Sequence, residues 1–160
     1  MTKRKKLPHT EWGLWLNYVV YYSDENLISL RLSHSVMEAG QMHPIDYYET
    51  LNYDLRQGKV LQINDVFCSE KQFLRAVSDF SRQELARAYG LIDEWSQGGT
   101  TPEKKHFLNW NLVPDGVIIA FEDYQIQCHA FGQAELVIPF SALRKTLLPG
   151  TVATKLRPAQ

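Results

Sequence analysis

The stretch SEKQFLRAVSDFSRQELARAYG, residues 69–90, decides the fold, because its hydrophobic pattern has a helical period whereas its neighbours alternate. Its apolar residues recur at intervals of three and four, as on one side of a helix: Phe73, Val77, Phe80. Ser69 and Gln72 have the spacing of a capping box, and Gly90 fits a left-handed C-terminal cap. The stretch therefore predicts one long helix over about 69–89.

Segments with the two-residue period of β-strands precede this helix. WLNYVVYY, residues 15–22, is apolar on both faces and is predicted as a central strand. LISLRLSH, residues 27–34, predicts a half-buried strand with Ile28, Leu30 and Leu32 on its buried face. YYETLNYDL, residues 47–55, predicts a third strand, and VLQINDVF, residues 60–67, predicts a short strand after a turn at Gly58.

The C-terminal third of the sequence again alternates. FLNWNLV and VIIAFE predict two strands joined by the tight turn Pro114-Asp115-Gly116, in which proline presets φ and glycine takes the left-handed position. YQIQCHAFG, residues 124–132, and ELVIPF, residues 135–140, predict two more. Ser141 then starts a short helix over about 141–148, which Pro149 and Gly150 end.

Strands on both sides of one long helix are typical of an α+β fold, in which an antiparallel β-sheet packs on that helix. We expect a basic, flexible N-terminus over residues 1–14, a single α+β domain over 15–148 and a loose tail over 149–160. A chain of 160 residues is long enough to bury a substantial core in one domain.

Charge and composition exclude several classes of function. The net charge is −1, and the first six residues hold four of the 17 basic residues, so the remainder is acidic and is not predicted to bind nucleic acid. No apolar stretch is long enough to span a membrane, and the chain as given shows no leader. Cys68 and Cys128 form no CxxC pattern, and the sequence leaves open whether they pair.

The order and spacing of several short motifs resemble one known domain family over residues 15–148. The motifs are Asn52–Leu55 with Gly58-Lys59, Ile63–Phe67, Pro114–Gly116, Phe121–Tyr124, Ala130–Gly132 and Ile138–Ser141. The family is the extracytoplasmic domain of RsiV-type anti-sigma factors, which also precedes the catalytic domain of PdaC-type peptidoglycan deacetylases. The chain departs from the family pattern in having fewer glycines around His43 and His129 in place of an aromatic residue.

The resemblance implies the binding module alone, since the sequence contains neither a sigma-binding segment nor a deacetylase domain. It implies an extracytoplasmic location and a cell-envelope ligand, either a lysozyme-like protein or a peptidoglycan fragment. We predict that five residues in loops and at one sheet end contact this ligand: His43, Tyr47, Trp95, Tyr124, His129. Histidine changes charge near physiological pH, and exposed aromatic rings favour binding surfaces.

No cofactor or metal is predicted. Cys128 and His129 are neighbours on a predicted strand, so their side chains would point to opposite faces and not share one ion. No GxSxG, HExxH, P-loop or GxGxxG motif is present, which favours a non-catalytic protein.

Two alternatives stay open. One is a small hydrolase that uses Asp93 or Glu94 together with His43 as its acid and base. The other is a structural or regulatory domain that binds another protein, which an exposed apolar patch of several hundred Å² would support. The sequence does not indicate the oligomeric state.

Overall fold

A computed structural model of the protein describes residues 12–90 and 93–156. The elements in chain order are the strands and helices β1 (Gly13–Ser23), β2 (Leu27–Met37), β3 (Ile45–Asp54), β4 (Lys59–Val60), α1 (Ile63–Val66), α2 (Glu70–Tyr89), α3 (Glu94–Gly98), β5 (Trp110–Val113), β6 (Gly116–Ala120), β7 (Glu135–Pro139) and α4 (Phe140–Leu143). Residues 1–11 of the predicted basic terminus and 157–160 of the predicted tail lie outside the described residues.

The strands form two antiparallel sheets. The four-stranded sheet has the order β1-β2-β3-β4, and the three-stranded sheet has the order β5-β6-β7. The predicted tight turn joins β5 to β6, with Val113 paired to Gly116, although Gly116 does not take the predicted left-handed conformation. Together with α2 and the short C-terminal α4, these sheets confirm the predicted α+β class.

Helix α2 begins and ends where the sequence predicts. The Ser69 hydroxyl accepts a hydrogen bond from the Gln72 amide at 3.4 Å, which satisfies one free N–H of the first turn. Gly90 has φ +66°, a left-handed conformation in which a side chain would be strained, and its amide donates to the Ala86 carbonyl.

The hydrophobic core lies mainly between α2 and the three-stranded sheet. The buried side chains of this core include Phe67, Phe73, Val77, Leu85, Trp110, Leu112, Val117, Ile119, Phe121 and Ile138. Phe67 and Phe73 have ring centroids 4.2 Å apart, and the Trp110 ring contacts both edge-on. Within the described residues, Leu27 is the one buried residue of β1, β2 or β3 that belongs to this contiguous core cluster.

The two sheets are joined mainly by polar side chains. The Asn52 amide group donates to the Trp110 carbonyl at 2.9 Å, while its oxygen accepts from the Leu112 amide at 2.8 Å. Asn111 on β5 donates back to the Leu30 carbonyl at 2.8 Å. Ser29 completes this buried network by donating to the Asn52 oxygen at 2.8 Å. Because buried amides are costly unless they are hydrogen-bonded, this network fixes how the sheets meet.

The opposite side of the four-stranded sheet, which we call the outer face, is apolar and faces solvent. The register aligns its apolar side chains in cross-strand rows: Leu14, Leu16, Tyr18, Val20, Ile28, Leu30, Leu32, Val36, Ile45, Tyr47, Leu51 and Tyr53. Leu16 is 74% exposed and Leu32 is 45% exposed. The same rows also contain the polar side chains of Ser23, His34 and Glu49.

This arrangement corrects two predictions about the first strands. The set Ile28, Leu30 and Leu32 lies on the outer face, and the fully buried residues of β2 are instead Leu27, Ser29 and Arg31. The segment predicted as a central strand is β1, an edge strand whose side chains are mostly exposed on both faces. Alternation alone indicates that a strand has two different faces. It does not indicate which face packs against the rest of the protein.

Three further segments differ from expectation. Residues 124–132, predicted as a strand, form turns and a short 3-10 helix over His129–Phe131. The stretch 60–67 divides into β4 and α1, and the C-terminal helix ends at Leu143. Within the predicted tail, Val152–Lys155 form a 3-10 helix whose Ala153 is buried.

Candidate functional site

Four of the five predicted ligand-binding residues lie together at one end of the molecule. His43 belongs to the loop between β2 and β3, Trp95 to α3, and Tyr124 and His129 to the long segment between β6 and β7. The end of the hairpin β2–β3 thus meets the end of the hairpin β6–β7. We call these four residues the histidine cluster.

His43 is held between a carbonyl and a phenol. Its Nδ1 lies 2.9 Å from the Pro44 carbonyl oxygen, which can only accept, so Nδ1 carries the proton and donates. In the neutral ring Nε2 is then the acceptor, and the Tyr124 hydroxyl, 3.0 Å away, donates to it. These two bonds fix both the tautomer and the orientation of the imidazole.

The rings of His43 and His129 are stacked, with centroids 4.1 Å apart and planes 9° apart. His129 Nδ1 lies 2.7 Å from the Asp123 carboxylate, so Nδ1 is the donor and Nε2 forms no hydrogen bond within the described residues. His129 can therefore offer Nε2 to a ligand, as an acceptor when neutral and as a donor when protonated.

The segment that carries Tyr124 is clamped to α3. The Trp95 indole donates to the Tyr124 carbonyl at 2.8 Å, and the Gln125 side chain donates to the Gly99 carbonyl at 2.8 Å. A Cβ at Gly99 would lie 2.0 Å from the Gln125 carbonyl oxygen, so only glycine permits this close approach. Tyr124 has φ +61°, unusual for a bulky residue and a form of strain that recurs at binding sites.

Tyr47 is the predicted residue that lies apart from this cluster. It projects from the outer face, where its ring stacks on His34 with centroids 5.3 Å apart. Its neighbour Tyr48 points to the other side of β3 and is buried beside the cluster. The sequence did indicate that the two tyrosines face opposite ways, and the structure shows which of them approaches the site.

A cavity of about 180 Å³ adjoins the histidine cluster, and sequence reasoning missed its acidic lining. Asp46, Glu122 and Asp123 contribute carboxylates, and Tyr124 and His129 contribute to the same wall. Burial raises the pKa of Glu122, and the hydrogen bond that Asn109 donates to its carboxylate acts in the opposite direction. The available signal was the adjacent acidic pair Glu122-Asp123 within the Phe121–Tyr124 motif.

The acidic residues of the hydrolase alternative, Asp93 and Glu94, do not form a site with His43. The Asp93 carboxylate accepts the Ser96 amide at 2.8 Å as the N-cap of α3, and that bond lowers its pKa. No hydrogen bond or ion pair connects Asp93 or Glu94 with His43 in the described part of the chain. Cys68 and Cys128 are free thiols.

Within residues 12–90 and 93–156, no group of three or more histidine, cysteine or acidic side chains is placed to hold a metal ion. Over the same ranges, no helix has both the length and the apolar character required to cross a bilayer. The cluster offers aromatic faces and an open imidazole nitrogen, and the adjoining cavity offers carboxylates; these groups suit recognition of a polar ligand by hydrogen bonding and stacking.

Fold and site together define a small α+β domain whose two sheets meet beside a histidine cluster. Residues 64–141 match the family model described as "Protein of unknown function (DUF3298)". This segment of the chain is therefore similar to DUF3298, a domain of unknown function. This match covers most of α1 and all of α2 and the three-stranded sheet, including all of the histidine cluster except His43.

The predicted resemblance to the PdaC-like domain is confirmed. A curated relative, "Peptidoglycan-N-acetylmuramic acid deacetylase PdaC" of Bacillus subtilis (strain 168), is 26% identical over 110 residues. That alignment covers 68% of this chain and 24% of the relative, so the chain spans about a quarter of that protein's length. The similarity to RsiV-type anti-sigma factors stays a prediction.

Two crystal structures of DUF3298 family members share the fold. The one from Bacteroides fragilis NCTC 9343 has a TM-score of 0.77 and 20% identity, covering 98% of this chain and 63% of its own. The one from Pseudomonas aeruginosa PAO1 has a TM-score of 0.69 and 21% identity, covering 93% of this chain and 66% of its own. At these identities the likeness establishes the architecture of both sheets and of α2, and it transfers no function.

Proposed function

We propose that this protein is a non-catalytic module that binds a cell-envelope ligand through the histidine cluster. The observation that carries the proposal is the convergence of His43, Trp95, Tyr124 and His129 from three separate segments. Each ring is oriented by a hydrogen bond, and His129 Nε2 is left open toward a ligand. Preorganised aromatic and polar groups of this kind lower the entropic cost of binding.

The ligand class follows from the similarity to PdaC, whose name describes a deacetylase acting on peptidoglycan. The two ligands to be compared are a peptidoglycan fragment and a lysozyme-like protein, and an extracytoplasmic location is part of the proposal. In this proposal the chain supplies recognition, and a hydrolytic role for Asp93 or Glu94 with His43 is not favoured by their positions.

The proposal is tested by titrating the purified chain with soluble muropeptides and, separately, with lysozyme, using isothermal calorimetry. We expect saturable binding of one of them, weakened at least tenfold by the combined changes Trp95→Ala, Tyr124→Ala and His129→Ala. The matched control is Tyr18→Ala, which removes an exposed aromatic ring from the middle of the edge strand β1. No heat from either ligand, or equal affinity in the triple variant, would refute the proposal.

A second candidate function, a protein-interaction domain, is supported by the outer face. Three strands of about ten residues form an area of about 35 by 14 Å, or about 500 Å² in projection, and side chains increase the accessible area. A stable interface buries about 800 Å² per partner, so a second copy could cover the face in one sheet-on-sheet contact. Glu49 is the one acidic side chain among the rows of this face, so a contact between two copies would be mainly apolar.

Sedimentation velocity over a range of concentrations tests this candidate. A second copy on the outer face predicts a concentration-dependent dimer that the changes Leu16→Glu and Leu32→Glu abolish without unfolding the chain. The control is Leu108→Glu, an exposed leucine outside the four-stranded sheet, which should leave the dimer intact. A monomer at all concentrations would mean that the outer face has a different occupant or none.

A further inference from the structure

The cavity beside the histidine cluster has an unusual balance of charge. Its lining contains the carboxylates of Asp46, Glu122 and Asp123, and no lysine or arginine of the described chain contributes to it. Apolar and neutral side chains complete the walls, among them Phe121 and Ile126. The cavity therefore presents negative charge on partly apolar walls, where electrostatic attraction is stronger than in bulk water.

Each of the three carboxylates has capacity left for a ligand. Asp46 accepts from the Ser35 hydroxyl, Glu122 from the Asn109 amide group, and Asp123 from His129. A carboxylate can accept several hydrogen bonds, so one partner leaves lone pairs available. No lysine or arginine forms an ion pair with any of the three within the described residues, and His129 supplies the one ion pair at Asp123.

The buried phenol of Tyr48 is a second, independent sign of a ligand site. Tyr48 is only 6% exposed, yet it lines the cavity, and its hydroxyl has no hydrogen-bond partner in the described part of the chain. The side chain is thus more than nine-tenths buried, while its unpartnered hydroxyl oxygen stays accessible to a ligand. Burial raises the pKa of Tyr48, and the neighbouring Asp46 raises it further, so the phenol stays neutral and can accept or donate.

The nearest fixed cation does not neutralise this cavity. The Arg31 guanidinium packs on the Tyr48 ring, 4.8 Å from its centroid, and forms an ion pair with Glu135 on β7. Arg31 is therefore already paired, and it is not part of the lining. Within the described residues, Asp46, Glu122 and Asp123 therefore have no lysine or arginine partner, and His129 at Asp123 is their one basic neighbour in the lining.

We propose that this cavity binds one organic cation, a primary ammonium or a guanidinium group, presented by the ligand of the histidine cluster. The carboxylates balance its charge, the Tyr48 oxygen accepts one of its hydrogens, and the apolar walls contact the carbons behind it. Small-molecule sites generally enclose about 300 Å³ or more, whereas about 180 Å³ suits a single side-chain-sized group. This inference rests on the proposed function, because Tyr124 and His129 belong to both surfaces.

The cation could come from a lysine or arginine of a protein or from an amino group of a peptidoglycan fragment. The probes are N-acetyl-lysine amide, N-acetyl-arginine amide and glucosamine, titrated into the isotope-labelled chain and followed by NMR. N-acetyl-norleucine amide is the uncharged control for the lysine probe. We expect saturable shifts at Asp46, Tyr48 and Asp123 with at least one charged probe and none with norleucine amide. Preference for the amino-acid probes would indicate a protein source, and preference for glucosamine a glycan source.

Two variants make the inference falsifiable. Glu122→Gln and, should that variant not fold, Asp46→Asn should each weaken binding of the charged probe at least fivefold. Glu25→Gln, on the exposed turn between β1 and β2, changes the net charge equally and should leave binding unchanged. Equal shifts with norleucine amide, or unchanged binding in a folded cavity variant, would overturn the inference.

The same variants separate this inference from the proposed function. Muropeptide or lysozyme binding that is lost in the histidine-cluster triple variant but unaffected by Glu122→Gln would support the module and refute the cation site. Charged probes that bind while neither envelope ligand does would support the cation site and refute the proposed ligand class.

Discussion

The three-stranded sheet packs tryptophan, leucine, valine and isoleucine against α2, whereas the four-stranded sheet buries asparagine, serine and arginine and leaves the leucines of its outer face accessible to solvent. The first arrangement derives its stability from apolar area removed from water. The second depends on Asn52 and Asn111, whose bonds are directional and have one correct geometry. The difference indicates that one sheet supplies stability and that the other supplies a fixed orientation and free surface.

Truncating the core should have the largest effect. Phe73 is fully buried between Phe67 and Trp110, so Phe73→Ala removes a ring and leaves a cavity. We expect a loss of about 3–5 kcal/mol in the free energy of unfolding, measured by urea denaturation. A loss below about 1 kcal/mol would contradict the assignment of the main core to α2 and the three-stranded sheet.

Breaking the polar junction should have the next largest effect. Asn52→Ala removes three hydrogen bonds. The Leu112 amide and the Trp110 carbonyl then stay buried without the Asn52 side chain as their partner. Because each unsatisfied buried group costs about 1–3 kcal/mol, we expect a loss of about 2–4 kcal/mol in the same assay. Asn17→Ala on exposed β1 is the control and should change stability by less than about 0.5 kcal/mol.

The boundary between the sheets should respond to pH through Glu122. Its pKa in the folded protein is raised by burial, so the folded state binds this proton more tightly than the unfolded state. The stability that this bound proton adds to the folded state is therefore present below the pKa of the unfolded state. It is lost as pH rises through the pKa of the folded state. Glu122→Gln should flatten that part of the stability profile, measured by thermal unfolding between pH 4 and 8. A profile that is identical in the variant would show that burial of this carboxyl has no thermodynamic consequence.

The smallest effect should come from the outer face. Leu16 is so exposed that Leu16→Thr removes little buried area and keeps a residue that suits a strand. We expect a change within about 0.5 kcal/mol, together with higher solubility. A loss comparable with that of Asn52→Ala would mean that the outer face is covered in solution, and repeating the measurement at several protein concentrations would test whether a second copy covers it.

The sequence predicted the local structure of this fold better than it predicted the packing of the elements. Ser69 and Gly90 marked the ends of α2 because caps depend on a few neighbouring residues. The inner and outer faces of β2 could not be assigned, because leucine, serine and arginine on opposite faces satisfy the same alternation. The choice depends on Asn111, 81 residues beyond its partner Leu30, and no periodicity records such a contact.

Only part of the candidate site could be predicted from the sequence, because its residues meet through long-range contacts. Each of His43, Trp95, Tyr124 and His129 was a recognisable residue in a loop or at a strand end, and their convergence required the tertiary structure. The sequence could not show that Tyr48 and not Tyr47 lies at the site. As neighbours on β3, their side chains point to opposite faces of the sheet, and the sequence does not say which face carries the site. The 3-10 helix at His129 replaced a predicted strand because Gln125 anchors the preceding turn to Gly99.

The solvated leucines of the outer face also have a calorimetric consequence. A protein of 160 residues ordinarily gains about 2 kcal/mol/K in heat capacity on unfolding, mainly from apolar groups that become hydrated. About 500 Å² of apolar sheet is already hydrated here, which lowers that increment by about 0.2 kcal/mol/K. The temperature dependence of stability should therefore be flatter than the length of the chain suggests, and a partner on the outer face would restore its curvature.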